Sequence, residues 1–351
     1  MTSTFDIAVL PGDGIGPEIM PQALAVLQAA ARRAGFTLRC DSFPWGAEHF
    51  LRHGEFMPAD GLATLRDYDA ILFSAAGHPE VSDERSSWEF VFQIRKQFRQ
   101  YANLRPVRSY PGVPTPLRGN PAFDMLIVRE NSEGEYAGPG GVLHREWENG
   151  VAIQSTVLTR AGVERIARCA FELARGRQRR VTNVTKSNAI LHTMHFWDAI
   201  VEDIARDYPD VATDLLLVDA ATMKFVQAPG AFDVIVTTNM YGDILSDLGG
   251  ALAGSVGLSS SANLDPTGEF PSMYEPVHGS APDIAGQGIA NPCGLILSAA
   301  LMLRDLGQGE AAGRIEAAVA AALADGVHTR DLGGRASTVE MGAAVLGRVE
   351  G

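Results

Sequence analysis

Asp243 and Asp247 are four residues apart, a spacing at which two carboxylates could act on the same ligand. If a helix begins near Gly242, both carboxylates lie on one face of it. Carboxylate oxygens are the ligands that Mg²⁺ and Mn²⁺ prefer, and Asp219, at the end of a predicted strand, is a natural third ligand. The alternative is an N-cap and a first-turn acid that the helix dipole stabilises. The spacing alone leaves both interpretations open.

Arginines that could hold an anionic substrate cluster in one part of the chain. Guanidinium groups bind carboxylates with two parallel hydrogen bonds. Arg105 precedes Pro106 and Arg129 ends a predicted apolar strand, positions that favour the rim of a pocket, whereas Arg99 and Arg108 fit a solvated helix face. The whole set is Arg95, Arg99, Arg105, Arg108 and Arg129.

The segment Glu275–Gly286 combines an acid, a histidine, small residues and a second acid. An acidic side chain can accept both hydroxyls of an adenosine ribose and repels a 2′-phosphate. A nucleotide-binding loop and a structural loop with a hydrogen-bonded histidine are both consistent with these residues.

Predicted strands and helices alternate along the chain, which predicts an α/β fold. The elements of this fold must position the residues described above. A helix is predicted over Glu18–Ala34, and Ala-rich helices are predicted over Leu295–Gly351. Strands are predicted at Phe5–Leu10, Thr37–Asp41, Ala70–Ser74, Met125–Arg129, Arg180–Thr185, Leu215–Val218 and Val234–Thr238.

A glycine-rich turn follows the first predicted strand, with glycines at 12, 14 and 16. A Rossmann fingerprint needs its third glycine one position later, so we reject that interpretation.

Two further segments depart from the alternation. Glu135–Thr159 is predicted to form an arm of antiparallel strands. A second subunit is expected to cover the edges of these strands. Ser259–Pro292 reads as a long, functional loop.

Composition excludes several classes of protein. The net charge of −13 argues against nucleic acid or an anionic membrane as the main partner. Three cysteines give no disulfide framework, and the chain shows neither a signal peptide nor an apolar run of membrane-spanning length, so a cytoplasmic protein is expected. A length of 351 residues favours two lobes.

Taken together, the motifs resemble the β-decarboxylating dehydrogenases, the isocitrate and isopropylmalate dehydrogenase family, and most of all its D-malate and tartrate branch. The match runs nearly end to end. It is carried by residues 11–18, 103–106, 128–136, 185–188, 242–247 and 275–292.

The resemblance implies a two-domain fold with a mixed parallel and antiparallel sheet, unlike a Rossmann fold. The first domain, which binds NAD, would take residues 1–100 and 257–351. The second would take residues 101–256, with an arm at about 135–160 that clasps the partner of a homodimer.

The resemblance also implies roles for single residues. Tyr136 would protonate the enolate after CO₂ leaves, and Lys186, from the other subunit, would help to remove the proton of the 2-hydroxyl. The substrate carboxylates would be held by Arg95, Arg105 and Arg129. Mg²⁺ or Mn²⁺ would be bound by Asp243, Asp247 and the other subunit's Asp219, and a K⁺ requirement stays open. The NAD site would be lined by Glu275, His278, Gly279, Ser280, Ala281, Asp283 and Asn291.

The substrate expectation rests on the helix before Arg95. Trp88 stands where isopropylmalate enzymes usually have an acid, and Val91 and Phe92 replace two leucines. Trp88 would close the pocket beyond C3 and favour D-malate or tartrate, unless its ring faces the core. The alternatives are a 3-isopropylmalate dehydrogenase, a non-catalytic regulatory subunit of the same family, and a nucleotide-binding scaffold without turnover.

Overall fold

The computed structural model describes residues 3–351, so the first two residues of the predicted first domain lie outside it. Within that range the chain forms a ten-stranded sheet and a two-stranded ribbon, packed with helices. The strands are β1 (Thr4–Gly12), β2 (Thr37–Ser42), β3 (Ala70–Ala75), β4 (Ala102–Arg108), β5 (Asp124–Glu130), β6 (Gly140–Leu143), β7 (Val151–Gln154), β8 (Arg180–Thr185), β9 (Ala212–Leu217), β10 (Val234–Thr237), β11 (Ser260–Leu264) and β12 (Ser272–Pro276).

The helices follow the predicted alternation, and the Ala-rich C-terminal helices are confirmed. The π-helical turn Ser87–Val91 joins α4 to α5. The helices are α1 (Gly16–Ala34), α2 (Ala47–His53), α3 (Gly61–Arg66), α4 (Asp83–Ser86), α5 (Phe92–Gln97), α6 (Arg160–Arg175), α7 (Leu191–Ala205), α8 (Val218–Gln227), α9 (Asn239–Leu252), α10 (Cys293–Asp305), α11 (Gly309–Ala324) and α12 (Thr338–Glu350).

The large sheet is mixed, as the resemblance implies. Its order is β2-β1-β3-β12-β11-β4-β5-β10-β8-β9. The central pairs β12–β11, β11–β4 and β4–β5 are antiparallel, whereas the outer strands pair in parallel. A Rossmann sheet is mostly parallel with a different strand order, so the rejection of that fold is confirmed.

In the antiparallel centre only β5 was predicted as a strand, and the expected loop over Ser259–Pro292 is corrected, because it contains β11 and β12. β11 is rich in serine and asparagine, and β12 contains serine, glutamate and proline, which are not typical strand residues. β4 contains Pro106, which usually argues against a central strand.

Both faces of the sheet are covered, as β1 shows. Ile7 and Val9 pack into one apolar core with α1 and α10, while Ala8 and Leu10 pack into a second core with Phe90 of the π-helical turn. Alternate side chains of a strand point to opposite faces, so a strand that is apolar throughout lies between two layers.

The first glycine turn positions another loop by close packing. Gly14 has φ +59°, and a Cβ there would lie 2.0 Å from the carbonyl oxygen of Ser280. The backbone N–H of Ile15 donates to the same oxygen at 2.9 Å. The buried carboxylate of Asp13 accepts hydrogen bonds from the backbone N–H groups of Ala47 (2.8 Å) and Gly77 (3.0 Å).

The predicted arm is confirmed as a ribbon in which β6 pairs antiparallel with β7. Its apolar side chains face solvent in the single chain, with Leu143 61%, Trp147 67% and Ile153 57% exposed. Such surfaces mark interaction sites.

Every helix within residues 3–351 falls short of the length or the apolar character that a membrane crossing requires.

The packing of Gly14 predicts that an added methyl group lowers the free energy of unfolding more at this position than at a glycine with free space around it. In Gly35→Ala, at φ +78° with no atom within 4 Å of the new Cβ, only backbone strain of about 1–2 kcal/mol is expected. In Gly14→Ala the displaced Ser280 loop adds to that strain. Urea unfolding of both variants measures the difference, and equal losses in the free energy of unfolding would contradict this packing role.

Candidate functional site

The carboxylate of Asp243 is the point where three predicted site residues meet. Its Oδ1 accepts hydrogen bonds from Nη1 of Arg105 (3.0 Å) and from Nη1 of Arg129, and its Oδ2 accepts one from the hydroxyl of Tyr136 at 3.2 Å. Helix α9 begins at Asn239, so Asp243 lies beyond the first turn. The alternative of an N-cap and a first-turn acid is therefore wrong.

Neighbouring strands place the two arginines side by side. Arg129 on β5 pairs with Asn103 on β4, so Arg105 is its diagonal neighbour on the same face. The side chains are 8% (Arg105) and 3% (Arg129) exposed. Gly242 permits this arrangement, because a Cβ there would lie 2.6 Å from the Cβ of Arg129.

Burial makes this pair of cations costly without an anion. Burial and the charge of Arg105 lower the pKa of Arg129 to about 9, and Asp243 opposes that shift. Burial also lowers the pKa of Arg105. Burial alone would raise the pKa of Asp243, but Arg129 and Arg105 outweigh it and hold this pKa below its usual value. The cluster is thus suited to bind carboxylates.

Asn239, which the sequence reasoning missed, completes the support of Arg129. Its Oδ1 accepts hydrogen bonds from Nε (2.9 Å) and Nη2 (2.7 Å) of Arg129. Its position directly after the apolar strand β10 was the available signal, because residues that follow buried strands often line sites.

Arg95 and Glu275, expected to bind substrate and cofactor respectively, form one ion pair at 2.5 Å. Their side chains are only 11% and 10% exposed. Arg95 also lines a small cavity with Tyr136 and Asn239. The structure therefore brings all three predicted substrate arginines to one place.

Trp88 is half-buried against Phe92, which lines this cavity, and lies outside the apolar cores. Its ring packs edge-on against Phe92 with centroids 5.3 Å apart, and Phe92 stacks on Tyr136 at 6.2 Å. Nζ of Lys96 lies 4.4 Å from the centre of the Trp88 ring. A Cβ on Gly138 would lie 3.3 Å from Cη2 of Trp88, so the ring also touches the start of the arm.

Lys186 and Asp219 form a separate pair, with Nζ and Oδ1 2.7 Å apart. Asp219 does not end a strand as predicted, because it lies in the first turn of α8. Within residues 3–351, no three histidine, cysteine or acidic side chains come together as a metal site. One chain therefore offers Asp243 and Asp247 in one place and Asp219 in another.

The carboxylates on α9 fit a hard cation in part. Asp247 follows Asp243 by four residues and is exposed, and no described residue hydrogen-bonds its side chain. Partial desolvation and the charge of Asp243 raise the pKa of Asp247, although Arg105 lowers it. A divalent cation between the two aspartates would relieve this repulsion.

The loop after β12 forms a second cavity of about 390 Å³. His278, Ala281 and Asn291 line it together with apolar residues such as Ile15 and Ile284. Largely apolar walls with a few polar groups are typical of small-molecule sites. The sequence reasoning missed Ile15, Arg330 and Asp331 as lining residues, because they are remote from this loop in the chain.

Two polar side chains in this loop, those of His278 and Asp283, are free to bind a ligand. Nδ1 of His278 lies 3.0 Å from the carbonyl oxygen of Gly279, and its buried Nε2 has no partner among residues 3–351. Burial lowers the pKa of His278, so the ring stays neutral at pH 7. Asp283 is exposed outside the cavity wall, and Ser280 packs on Gly14.

Comparison with known proteins agrees with this geometry. The model of the isocitrate/isopropylmalate dehydrogenase family matches residues 6–345. The chain belongs to this family.

A probable tartrate dehydrogenase/decarboxylase of Agrobacterium vitis is 47% identical over 99% of this chain and 98% of its own length. The decarboxylating D-malate dehydrogenase of Escherichia coli is 46% identical over 98% of both chains. The crystal structure of an isocitrate dehydrogenase from Methylococcus capsulatus superposes with a TM-score of 0.90 at 37% identity, covering 99% of this chain and all of that one.

These likenesses confirm the predicted family, its D-malate and tartrate branch, and the mixed α/β fold. They also confirm that this family member is a decarboxylating hydroxy-acid dehydrogenase.

The two aspartates of this dehydrogenase are predicted to affect stability differently. Asp243→Asn removes the anion of two buried guanidinium groups, so the metal-free protein should lose about 1–3 kcal/mol, less than for a fully buried pair because Asp243 is 37% exposed. Asp247→Asn should change the free energy of unfolding by at most about 0.5 kcal/mol. Urea unfolding in EDTA distinguishes them, and similar losses would refute this charge balance.

Proposed function

We propose that the protein is an NAD- and divalent-metal-dependent enzyme that oxidises and decarboxylates D-malate or tartrate in a homodimer. The observation that carries the proposal is that Arg105 and Arg129 meet at Asp243, which also bonds the Tyr136 hydroxyl, while Arg95 lines the small cavity beside Tyr136. Three guanidinium groups match the two carboxylates of a small dicarboxylic acid. The names of the relatives from Agrobacterium vitis and Escherichia coli point to the same substrates.

In this proposal a substrate carboxylate replaces Asp243 as the hydrogen-bond partner of Arg105 and Arg129. Arg105 has a buried Nε without a partner among residues 3–351, and Arg95 has another, so both can donate to a further carboxylate. Once a substrate carboxylate neutralises Arg105 and Arg129, the carboxylate of Asp243 is free to face a cation together with Asp247.

The metal would be held by Asp243 and Asp247 of one chain and Asp219 of its partner. A divalent cation, when bound, supplies Lewis acidity toward the 2-hydroxyl and its neighbouring carboxylate and stabilises enolate charge. The exposed pair of Asp219 and Lys186 suits this arrangement, because both side chains are accessible to a second chain.

Two side chains would move protons. Lys186 of the partner subunit would help to remove the proton from the 2-hydroxyl. Burial and Asp243 raise the pKa of Tyr136, so its hydroxyl is protonated at neutral pH and can donate to C3 after CO₂ leaves. The stacked ring of Phe92 holds the tyrosine ring in place.

NAD would bind along the loop after β12 and would accept the hydride from C2. The unpartnered Nε2 of His278, buried in a largely apolar cavity, fits an adenine amino group. The exposed carboxylate of Asp283 can accept the ribose hydroxyls and would repel a 2′-phosphate. The remaining predicted residues of the site are Glu275, Gly279, Ser280, Ala281 and Asn291.

The domains proposed are residues 1–100 with 257–351, and residues 101–256. Pairing of β4 with β11 would then cross the domain boundary beside the arginine cluster. The arm at 135–160 and the exposed apolar side chains of Met223 (57%) and Ile244 (57%) support a homodimer. Three free cysteines agree with a reducing cytoplasm.

The position of Trp88 predicts substrate preference. With Mn²⁺ or Mg²⁺, kcat/KM for NADH formation should be highest on D-malate or a tartrate, lower on 3-isopropylmalate and isocitrate, and abolished by EDTA. Trp88→Ala should raise the 3-isopropylmalate to D-malate ratio by at least about 10-fold, because it opens space for apolar groups. Trp88→Phe serves as the matched control with a smaller shift. Highest wild-type activity on 3-isopropylmalate would contradict the closed pocket.

Shared active sites predict complementation between two inactive variants. In a mixed dimer of Asp247→Asn and Lys186→Met chains, one site combines both defects and the other combines neither. Random reassociation makes half of the dimers mixed, so about one quarter of wild-type activity should return, whereas each variant alone stays inactive. No recovery, with mixed dimers demonstrated by differently tagged chains, would show that each chain holds its own complete site.

A further inference from the structure

The side-chain amide of Asn263, in the middle of β11, uses all of its hydrogen-bonding groups while fully buried. Its Oδ1 accepts from Nδ2 of Asn103 (3.0 Å) and Nδ2 of Asn131 (2.9 Å). Its Nδ2 donates to Oε1 of Glu275 at 2.6 Å and to the carbonyl oxygen of Met273 at 3.3 Å. Such a saturated buried amide fixes the positions of its partners.

Each partner of Asn263 stands next to one of the three substrate arginines. Asn103 precedes Arg105 by two residues on β4, and Asn131 follows Arg129 by two residues after β5. On the other side, Oε1 of Glu275 accepts hydrogen bonds from both Asn263 and Nη2 of Arg95, the latter at 2.5 Å.

The register of the sheet explains why these groups meet. Asn263 pairs with Asn103 on one side and with Met273 on the other, and Ser261 pairs with Glu275. Paired residues, and residues two apart on a strand, point to the same face. The side chains of Asn103, Asn263 and Glu275 therefore share the face that carries Arg105.

We propose that Asn263 is a positioning residue for the dehydrogenase reaction. Its amide sets the carboxylate of Glu275, and through it Arg95, against the two strands that carry Arg105 and Arg129. This inference rests on the proposed function, since it concerns residues placed there around substrate and NAD. Asn263 would contact neither the substrate nor NAD. Its hydrogen bonds link the positions of all three arginines.

Asparagine suits this place because an amide has two donors and an acceptor with two lone pairs. An aspartate would keep the bonds from Asn103 and Asn131 but would turn a second carboxylate toward Glu275. An alanine would leave Glu275 with Arg95 alone and would leave two buried amide groups short of an acceptor.

The test compares Asn263→Ala with Ser261→Ala in the full-length enzyme. Ser261 is buried in the same network, where its Oγ accepts from Nδ2 of Asn103 at 2.8 Å, and its side chain makes no hydrogen bond to Glu275. Both variants should lower Tm. Only Asn263→Ala should lower kcat/KM for D-malate, by about 10–100-fold, as is typical when a group that orients an active-site residue is removed.

Two further readouts separate positioning from a loss of folded protein. In a Glu275→Gln background the effect of Asn263→Ala on kcat/KM should shrink to within about threefold, because contacts on one path are not additive. In Asn263→Asp, the introduced carboxylate and Glu275 would share a proton at low pH. Its kcat/KM should therefore fall as pH rises and both groups ionise, unlike that of the alanine variant.

A kcat/KM of Asn263→Ala equal to that of Ser261→Ala, or full additivity with Glu275→Gln, would overturn the inference and leave a structural role. If the wild type turned over none of the hydroxy acids, the proposed function would fail instead. The dissociation constant of NADH, measured by fluorescence, would then still test the inference. A rise of about 10-fold in Asn263→Ala alone would support it, and no rise would overturn it.

Discussion

Two buried guanidinium groups in contact with one carboxylate are the interaction on which the rest of this site depends. Arg105 and Arg129 are both almost fully buried, and their charges repel each other at close range. Only an anion between them makes this tolerable, since a buried, unpaired charge costs several kcal/mol. Asp243 supplies that anion from α9. A protein built in this way is suited to bind a carboxylate at this point.

The sheet provides the geometry that this cluster needs. Antiparallel pairing of β4 with β5 makes Arg105 and Arg129 diagonal neighbours, and pairing of β4 with β11 brings the strand of Asn263 alongside. Glycine at position 242 lets α9 approach the strand closely enough for Asp243 to reach both arginines. At the other side, the glycine turn after β1 packs on Ser280 and so fixes the loop with His278.

The residues of the site were easier to predict than the strands that carry them. Arg95, Arg105, Arg129, Tyr136 and Asp243 were found by motif, because their spacing is specific to one family. β4, β11 and β12 were missed, since serine, asparagine and proline there are not typical of strands, and their placement follows from the buried amide network. Asn263 was missed for the same reason. The separation of Asp219 and Lys186 from Asp243 within one chain follows from no local pattern, and only the family resemblance, which assigns both residues to the other subunit, led us to expect it.

On substrate binding, we expect a substrate carboxylate to replace Asp243 as the partner of Arg105 and Arg129. A crystal structure of the dimer with D-malate and Mn²⁺ would test this replacement. We expect a D-malate carboxylate within hydrogen-bond distance of both guanidinium groups, with the Asp243 and Asp247 carboxylates turned to Mn²⁺ and with Asp219 supplied by the partner subunit. Arg105 and Arg129 still paired with Asp243, and D-malate bound elsewhere, would contradict it.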